Sequence, residues 1–538
     1  MPKYRRVSTP ARTWNSLMQT WTIQKPSVES HTGIVSAQNR FAAEAGANVL
    51  AKGGNAMDAA VVTGLVLSIV EPWLSGIGGG GFLLHADVKT GDVHGLDFGV
   101  KSSRRLNPES YPITGDQGGD WFNWPGVKDD RNLIGYSSIC VPGTIAGFSE
   151  ALRRFGTLSW AEALAPAIEH AERGLLMDWY SCFCIATEWA TLSTFPTTSD
   201  LFMENGKPPR TSDRAAYVYR PMNTKAKVLR RLAEVGARDF YEGDIAKSLV
   251  RDLNAGGSPI DLEDLDSYQP RWVEPRTMDY RGVEINVMPG LSGGPSFIDA
   301  MELLANSLSA QATPDATSAV AYATAARTSY RKRLTTMGQA ATPDSDCTSH
   351  ISVVDAHGNM VSLTNTLLSR FGSKVALPET GFLMNNGMMW FDPRPGHPNS
   401  IAAGVKPLAN MCPLLLRKEG KPFMAIGAAG GRQIFPALTQ LVSFVVDFGL
   451  TLEDAFHRPR IDSSTPTIKI DQRDADDIAA AVSEHYPVEI VDNALYPVNF
   501  AIPSAVMIRS DGMRVGQAHP YSPWAHVAAE GNTGKEAT

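Results

Sequence analysis

The chain has 538 residues, 43% of them hydrophobic and 20% charged, with 49 Lys+Arg against 56 Asp+Glu for a net charge of −7. That apolar content excludes a mainly disordered chain, and the length corresponds to about three or four ordinary domains or to one large intertwined unit. The mildly acidic balance gives no electrostatic footing for a nucleic acid or an anionic membrane surface.

In chain order, residues 1–30 read as a loose, basic leader with no apolar run of signal-peptide length, so a cytoplasmic location is expected. A short strand pattern spans 32–37, and 41–50 has helical spacing that stops at Gly53-Gly54. Asn55 is placed to cap the next helix, with Asp58 at its positive end. That helix holds the longest apolar stretch, Ala59 to Val70, which is too short to span a bilayer and is interrupted by Thr63, Gly64 and Ser68. It reads as a buried helix. A glycine-rich segment, Gly76 to Gly81, precedes a strand over 82–86. Residues 104–136 read as a long loop, with helices over 146–154 and 160–173. The segment 190–226 is irregular and polar, and helical periodicity then runs from Leu229 to Leu253. A strand over 283–288 enters Pro289–Pro295 and a helix over 297–304, and 308–347 is rich in Ala, Thr and Ser with a loop-like last dozen. Beyond it the pattern changes to short strands at 351–355, 360–364 and 423–426. Strands and helices mix without βαβ alternation, which favours a layered α+β sandwich over a doubly wound sheet.

Five cysteines, at 140, 182, 184, 347 and 412, include no C-x-x-C pair, and no H-E-x-x-H occurs. A disulfide framework and a metal site are therefore not expected.

Three motifs carry possible chemistry. Gly76 to Gly81 matches G-x-G-x-x-G, but the order is helix, glycines, strand, the reverse of a dinucleotide fold, so it reads as a tightly packed backbone crossing. Gly290-Leu291-Ser292-Gly293-Gly294 matches G-x-S-x-G between a strand and a helix, which admits a serine hydrolase with Ser292 as nucleophile and His457, His485, His519 or His526 as base. The third is Asp346-Cys347-Thr348-Ser349-His350 at the start of a strand. If the chain is cut before Thr348, the new α-amino group, with an ordinary pKa of about 7.7–8, sits beside its own residue's hydroxyl and can act as its base.

Together, Gly53–Ala60, Glu71–Phe82, Val141–Phe148, Thr348–Asp355, Gly381–Asn386 and Ala429–Gly431 resemble, in order, the motifs of the γ-glutamyltransferase (glutathione hydrolase) family of N-terminal-nucleophile enzymes. The resemblance extends from about residue 32 to about residue 526. It implies a four-layer αββα sandwich made by a self-cleaved chain: a large subunit of residues 1–347 and a small subunit of residues 348–538, intertwined in one domain. It implies cleavage between Cys347 and Thr348, Thr348 as nucleophile, Thr366 as its hydrogen-bonding partner, and Gly430 and Gly431 as the oxyanion hole. It implies an amide substrate that is a small molecule, and neither a cofactor nor a metal. A family member that does not process itself, and does not catalyse, is the alternative alongside Ser292.

The departures concern the substrate. The family holds a γ-glutamyl carboxylate with an Arg after an Asp-Phe pair; here Asp97-Phe98 is followed by Gly99. A Ser-Ser pair is replaced by Ala409-Asn410, and the residues that hold the amino group by Leu368, Gly387 and Trp390. An unpaired buried ammonium or carboxylate is costly, so the pocket is expected to favour another small amide or N-acyl compound. Trp390 and Asn410 are expected to contact that substrate, and Arg370 and Arg432 are the candidates to bind a carboxylate on it.

Overall fold

The computed structural model describes residues 21–117, 124–211, 217–308, 313–337 and 348–531. Before residue 348 the strands used below are β1 (Val28–Ser30), β2 (Ile34–Ala37), β3 (Gly80–Ala86), β4 (Val93–Phe98), β5 (Arg271–Val273), β6 (Arg276–Tyr280) and β7 (Val283–Val287). After it come β8 (Ser349–Val354), β9 (Met360–Thr366), β10 (Leu414–Lys418), β11 (Lys421–Ala429), β12 (Ile502–Ile508), β13 (Arg514–Ala518) and β14 (His526–Ala529). They form two seven-stranded antiparallel sheets, one ordered β1-β13-β12-β11-β10-β7-β6 and the other β14-β2-β8-β9-β3-β4-β5. Both sheets therefore take strands from each side of residue 348.

The helices close the outer faces. α1 (Arg40–Ala51), α2 (Ala56–Val70), α3 (Thr144–Phe155) and α4 (Trp160–Arg173) pack on the second sheet or on each other over it. α5 (Trp179–Leu192), α6 (Asn223–Val235) and α7 (Asp244–Ala255) extend that side. α8 (Gly294–Ser307), α9 (Ala316–Thr336) and α10 (Ile434–Val446) cover the first sheet. The result is the expected α+β sandwich, helix–sheet–sheet–helix.

α2 explains why its sequence is apolar all round: every residue from Ala56 to Val70 is buried. Its start is fixed by a capping box in which the Asn55 side chain accepts from the Asp58 amide while Asp58 accepts from the Asn55 amide at 2.9 Å. The strands alternate as a two-residue period demands. Ile351 and Val353 of β8 enter the core under α2, whereas His350 and Ser352 face the other sheet. Between the sheets, one end is apolar, filled by Ile34, Leu84, Val354, Leu415 and Val506. The middle is a hydrogen-bonded row in which Ser504 Oγ donates to Ser36 Oγ (2.8 Å), and Ser352 Oγ and Ser362 Oγ donate to the carbonyls of Ser504 and Ile426 (3.2 Å each). That row leads to Thr348.

The structure departs from the sequence reading in several places. Val28–Ser30, read as part of a loose leader, is an edge strand paired with Arg514–Gly516. The periodic stretch 229–253 is two helices, because Gly236 stops α6 in a left-handed conformation (φ +106°). The glycine-rich segment is the close crossing expected: a Cβ on Gly79 would lie 2.0 Å from the Thr366 carbonyl oxygen, and one on Gly81 2.1 Å from that of Thr364. Among the described residues no helix is long and apolar enough to cross a membrane.

Candidate active site

Strand register places the candidate residues. Ser349 pairs with Asn365 across β8 and β9, so Thr348 stands next to Thr366 at the same end of the second sheet. Thr366 in turn pairs with Gly80 of β3. Thr348 is buried, and by the period of the strand it shares the inward face of His350. The Thr366 hydroxyl accepts the Leu368 amide at 2.8 Å, which fixes its rotamer at the strand end.

β11 of the opposite sheet brings the glycine pair to this end. A Cβ on Gly427 would lie 2.3 Å from the His350 ring, so the two sheets are in close contact there. Ser362, one step deeper, bonds to Ile426, which shows that β11 advances toward Gly430 as β8 runs back toward Thr348. Gly430 (φ +131°) and Gly431 (φ +50°) both adopt conformations that favour glycine, and they lead through a short turn into α10. Amides at the start of a helix are suited to hold a developing oxyanion. Gln433 buttresses the turn: its amide donates to the Gly430 carbonyl (3.0 Å), and its side chain donates to Asp462 (3.1 Å) and to the Asn499 carbonyl (2.8 Å).

His350 was not singled out by sequence. It lies fully buried beneath Thr348, with Nδ1 2.9 Å from the Thr364 hydroxyl and Nε2 3.0 Å from that of Ser352. Burial lowers its pKa to about 3, so it is neutral and packs the floor of the site. Asn385, from the Gly381–Asn386 motif, is another fixed point. Its side chain donates to the carbonyls of Gly78 (2.7 Å) and Cys140 (2.8 Å) and accepts the amides of Cys140 and Gly387.

A cavity of about 760 Å³ lies along the same sheet row, lined in part by Phe82, Gly99, Tyr268, Met288, Trp390 and Ala409. Three of these, Gly99, Trp390 and Ala409, are positions at which the sequence departs from the motifs it resembles. Because Gly81 pairs with Phe98, the register continues Thr348, Thr366, Gly80, Gly99 across four strands, a backbone span of about 14 Å. A side chain at Gly387 would meet Cys140 Sγ at 2.6 Å, and Leu368, Trp390 and Ala409 belong to one apolar cluster.

The predicted site residues do not all converge. Trp390 lines the cavity, and among the described residues its Nε1 has no hydrogen-bond partner. Asn410 is buried nearby and accepts from Arg333 Nη2 at 3.2 Å. Arg370 and Arg432 do not line the cavity. Arg370 donates to Thr187 (3.2 Å) on α5 and lies near the Glu71 carboxyl, whose pKa burial raises and Arg370 partly lowers. Arg432 stacks over the Tyr330 ring (5.4 Å) of α9, on the outer side of the first sheet. Arg370 lies in the turn after β9 and reaches α5, and Arg432 lies in the turn after β11 and reaches α9, so each is held away from the cavity. Two cations that sequence reasoning missed are better placed. Lys406 lines the cavity and pairs with Asp97 at 2.7 Å. Arg333, fully buried, donates to the carbonyls of Ser292 (2.9 Å) and Ala409 (2.8 Å).

Ser292 is a structural residue of that turn: fully buried, it donates to the Met288 carbonyl (2.6 Å) and accepts the Gly294 amide (3.0 Å). None of the histidines proposed as its base hydrogen-bonds to it, so the serine-nucleophile reading has no geometry behind it. Cys347 lies outside the described residues. Among the described residues no cluster of three or more His, Cys, Asp or Glu is arranged to hold a metal ion.

Comparison with known proteins agrees with this arrangement. The family model described as gamma-glutamyltranspeptidase matches residues 42–344 and 334–520. The Acylase ACY 1 proenzyme of Pseudomonas sp. (strain SE83) is 32% identical over 499 residues, 86% of this chain and 88% of the relative. The glutathione hydrolase proenzyme of Escherichia coli (strain K12) is 29% identical over 485 residues, 80% and 81% of the two chains. The fold is also that of the cephalosporin acylase from Bacillus halodurans, with a TM-score of 0.84, 23% identity, and coverage of 95% of this chain and 98% of that one. With the motifs, the sandwich and these matches in agreement, the chain belongs to the gamma-glutamyltranspeptidase family.

Proposed function

We propose that this protein is a self-processing N-terminal-threonine amidase whose preferred substrate is an N-acyl amide without a γ-glutamyl head. The observation that carries the reading is the register that sets Thr348 beside Thr366 at the strand end facing the Gly430–Gly431 turn. Cleavage between Cys347 and Thr348 frees the Thr348 amine. That amine removes the hydroxyl proton as the oxygen attacks the amide carbonyl. The amides of Gly430 and Gly431 hold the oxyanion, and Thr366 orients the nucleophile. The amine then returns the proton to the leaving amine, giving an acyl-Thr348 ester, and activates the water that hydrolyses it.

Two features support an acylase over a γ-glutamyl enzyme. The residues by which the resembled family holds an amino-acid zwitterion are replaced here by Gly99, Leu368, Gly387, Trp390 and Ala409-Asn410, and packing around Gly387 leaves no space to restore one of them. The similarity to the Acylase ACY 1 proenzyme spans most of both chains.

The test is Thr348→Ala. Wild-type protein is expected as fragments of residues 1–347 and 348–538, and the variant as one uncut chain. Incubation of the mature protein with an acyl p-nitroanilide, followed by mass spectrometry of the small fragment, is expected to find the acyl group on Thr348. Normal processing of the variant would overturn the assignment of the nucleophile.

A further inference from the structure

Gly430 and Gly431, the turn proposed above as the oxyanion hole, take conformations (φ +131° and +50°) that favour glycine, the residue with the freest backbone, so the direction of their amides has to be set from outside. One short segment reaches the turn from two sides. Arg460 and Asp462 stand two residues apart, at the start and end of a two-residue strand, Ile461–Asp462, that pairs with Ile470 and Lys469. That spacing puts both side chains on one face. Arg460 is buried, and its Nη2 donates to the Ala501 carbonyl at 2.9 Å. Ala501 is the residue packed on the turn: a Cβ on Gly430 would lie 2.8 Å from Ala501 Cα. Asp462 is also buried. It accepts Gln433 Nε2 at 3.1 Å and is itself held by the Ser464 amide and hydroxyl at 3.0 Å each. The Gln433 amide donates to the Gly430 carbonyl at 3.0 Å. A third contact ties the segment to the helix that leaves the turn: Gln440 of α10 accepts the Ile461 amide (3.0 Å) and donates to the Ile461 carbonyl (2.8 Å). Turn, helix and segment thus form a closed ring of contacts. Among the described residues Arg460 Nη1 has no hydrogen-bond partner, so hydrogen bonds do not fully offset the burial of this guanidinium, and stability alone does not account for it.

Resting on the amidase reading above, we propose that Arg460 and Asp462 are positioning residues that aim the Gly430 and Gly431 amides, Arg460 through Ala501 and Asp462 through Gln433. Neither touches the reacting atoms. A turn left free to rotate would have to be reoriented as the oxyanion forms, which raises the barrier without weakening the binding of the substrate. The constant that these two residues set is therefore kcat and not KM.

The experiment measures kcat and KM with an acyl p-nitroanilide on mature wild-type protein, Asp462→Ala, Gln433→Met, the double variant of these two, Arg460→Met and Arg460→Lys. The thermal midpoint reports folding. Asn55→Ala, which weakens a helix cap remote from this turn, is the control for lost stability. Asp462→Ala and Arg460→Met are each expected to lower kcat about tenfold, a part of what losing a whole oxyanion donor costs, with KM within about twofold. Because Asp462 acts through Gln433, the double variant is expected to be no slower than Gln433→Met alone. Arg460→Lys, which keeps a donor for Ala501, is expected to recover part of the loss. Where Asp462→Ala does not fold, Asp462→Asn takes its place in the cycle, with an expected loss of about threefold alone and none in the Gln433→Met background. An unchanged kcat in the folded variants, fully additive losses in the double variant, or an equal fall of kcat in Asn55→Ala would overturn the positioning role and leave the amidase reading intact. Failure of the wild type to hydrolyse any amide while remaining uncut would overturn the amidase reading, and this proposal with it.

Discussion

At the scale of single residues, the Gly430–Gly431 turn, proposed as the oxyanion hole, makes the sharpest demand. Gly430 has φ +131°, and a Cβ there would lie 2.8 Å from Ala501 Cα and 3.0 Å from its Cβ. Backbone on both sides must move to admit a methyl group, so Gly430→Ala turns the amide away from the oxyanion. Loss of one such donor costs about 10²–10³ in rate. The expected result is a fall of that size in kcat, with KM little changed, measured on mature protein. Gly449→Ala is the control: it too has positive φ (+65°), but it lies past the end of α10 with open space around it. It is expected to lower stability by about 1 kcal/mol and leave kcat alone. An equal effect of both substitutions on kcat would mean that backbone strain, not the oxyanion contact, is being measured. The glycine turn after β11 was legible in sequence because its motif is short and local. Lys406 and Arg333 were not, since their partners lie in segments distant in the chain: Asp97 for one, Ala409 and Ser292 for the other. Conversely, Arg370 and Arg432 were legible as charges beside the resembled motifs, but sequence proximity does not say which way a side chain in a turn beyond a strand points.

At the scale of elements, α2 shows how a cap can hold more than its own helix. The Asp58 carboxylate is fully buried and accepts four hydrogen bonds, from the Asn55 amide, the Thr157 amide (2.8 Å), the Thr157 hydroxyl (2.7 Å) and the Leu158 amide (3.1 Å). It therefore ties the start of α2 to the connection between α3 and α4. Asp58→Ala leaves several partly buried donors unpaired and is expected to cost about 2–3 kcal/mol. Asn55→Ala removes mainly the cap and is expected to cost about 1 kcal/mol. Urea unfolding of the two variants checks the order; equal losses would show that the tie to Thr157 and Leu158 contributes nothing beyond capping. The sequence announced this helix through its N-cap and apolar run, and α4 through the spacing over 160–173. It was silent on α5, where Trp179, Phe183 and Trp189 mix with buried Cys182 and Cys184 and give weak periodicity. It also hid the break at Gly236, because the apolar pattern resumes in phase on the far side.

At the scale of the whole molecule, the position of residue 348 in the sheet order decides how a processed protein behaves. In the first sheet β1, β6 and β7 precede residue 348 and the four strands between them follow it; in the second sheet β14, β8 and β9 follow it and the other strands precede it. Strand pairs β1–β13, β7–β10, β2–β14, β2–β8 and β3–β9 therefore join the two fragments by main-chain hydrogen bonds. β2 is held between two strands of the small fragment, and β8–β9 lies between two strands of the large one. Neither fragment can leave without exposing sheet edges and the apolar layer between the sheets, so neither is expected to persist as a folded body alone. Mature protein is accordingly expected to elute as one species containing both fragments, without denaturant and at high salt, since main-chain ladders and apolar contact hold the joint in addition to ion pairs such as Asp97–Lys406 and Glu188–Lys374. It is expected to unfold in one cooperative transition that releases both together, followed by fragment-resolved hydrogen exchange. Release of the 348–538 fragment before the large fragment loses protection in β2–β4 would show that the sheets hold as two separable halves, contrary to the interleaved order of their strands.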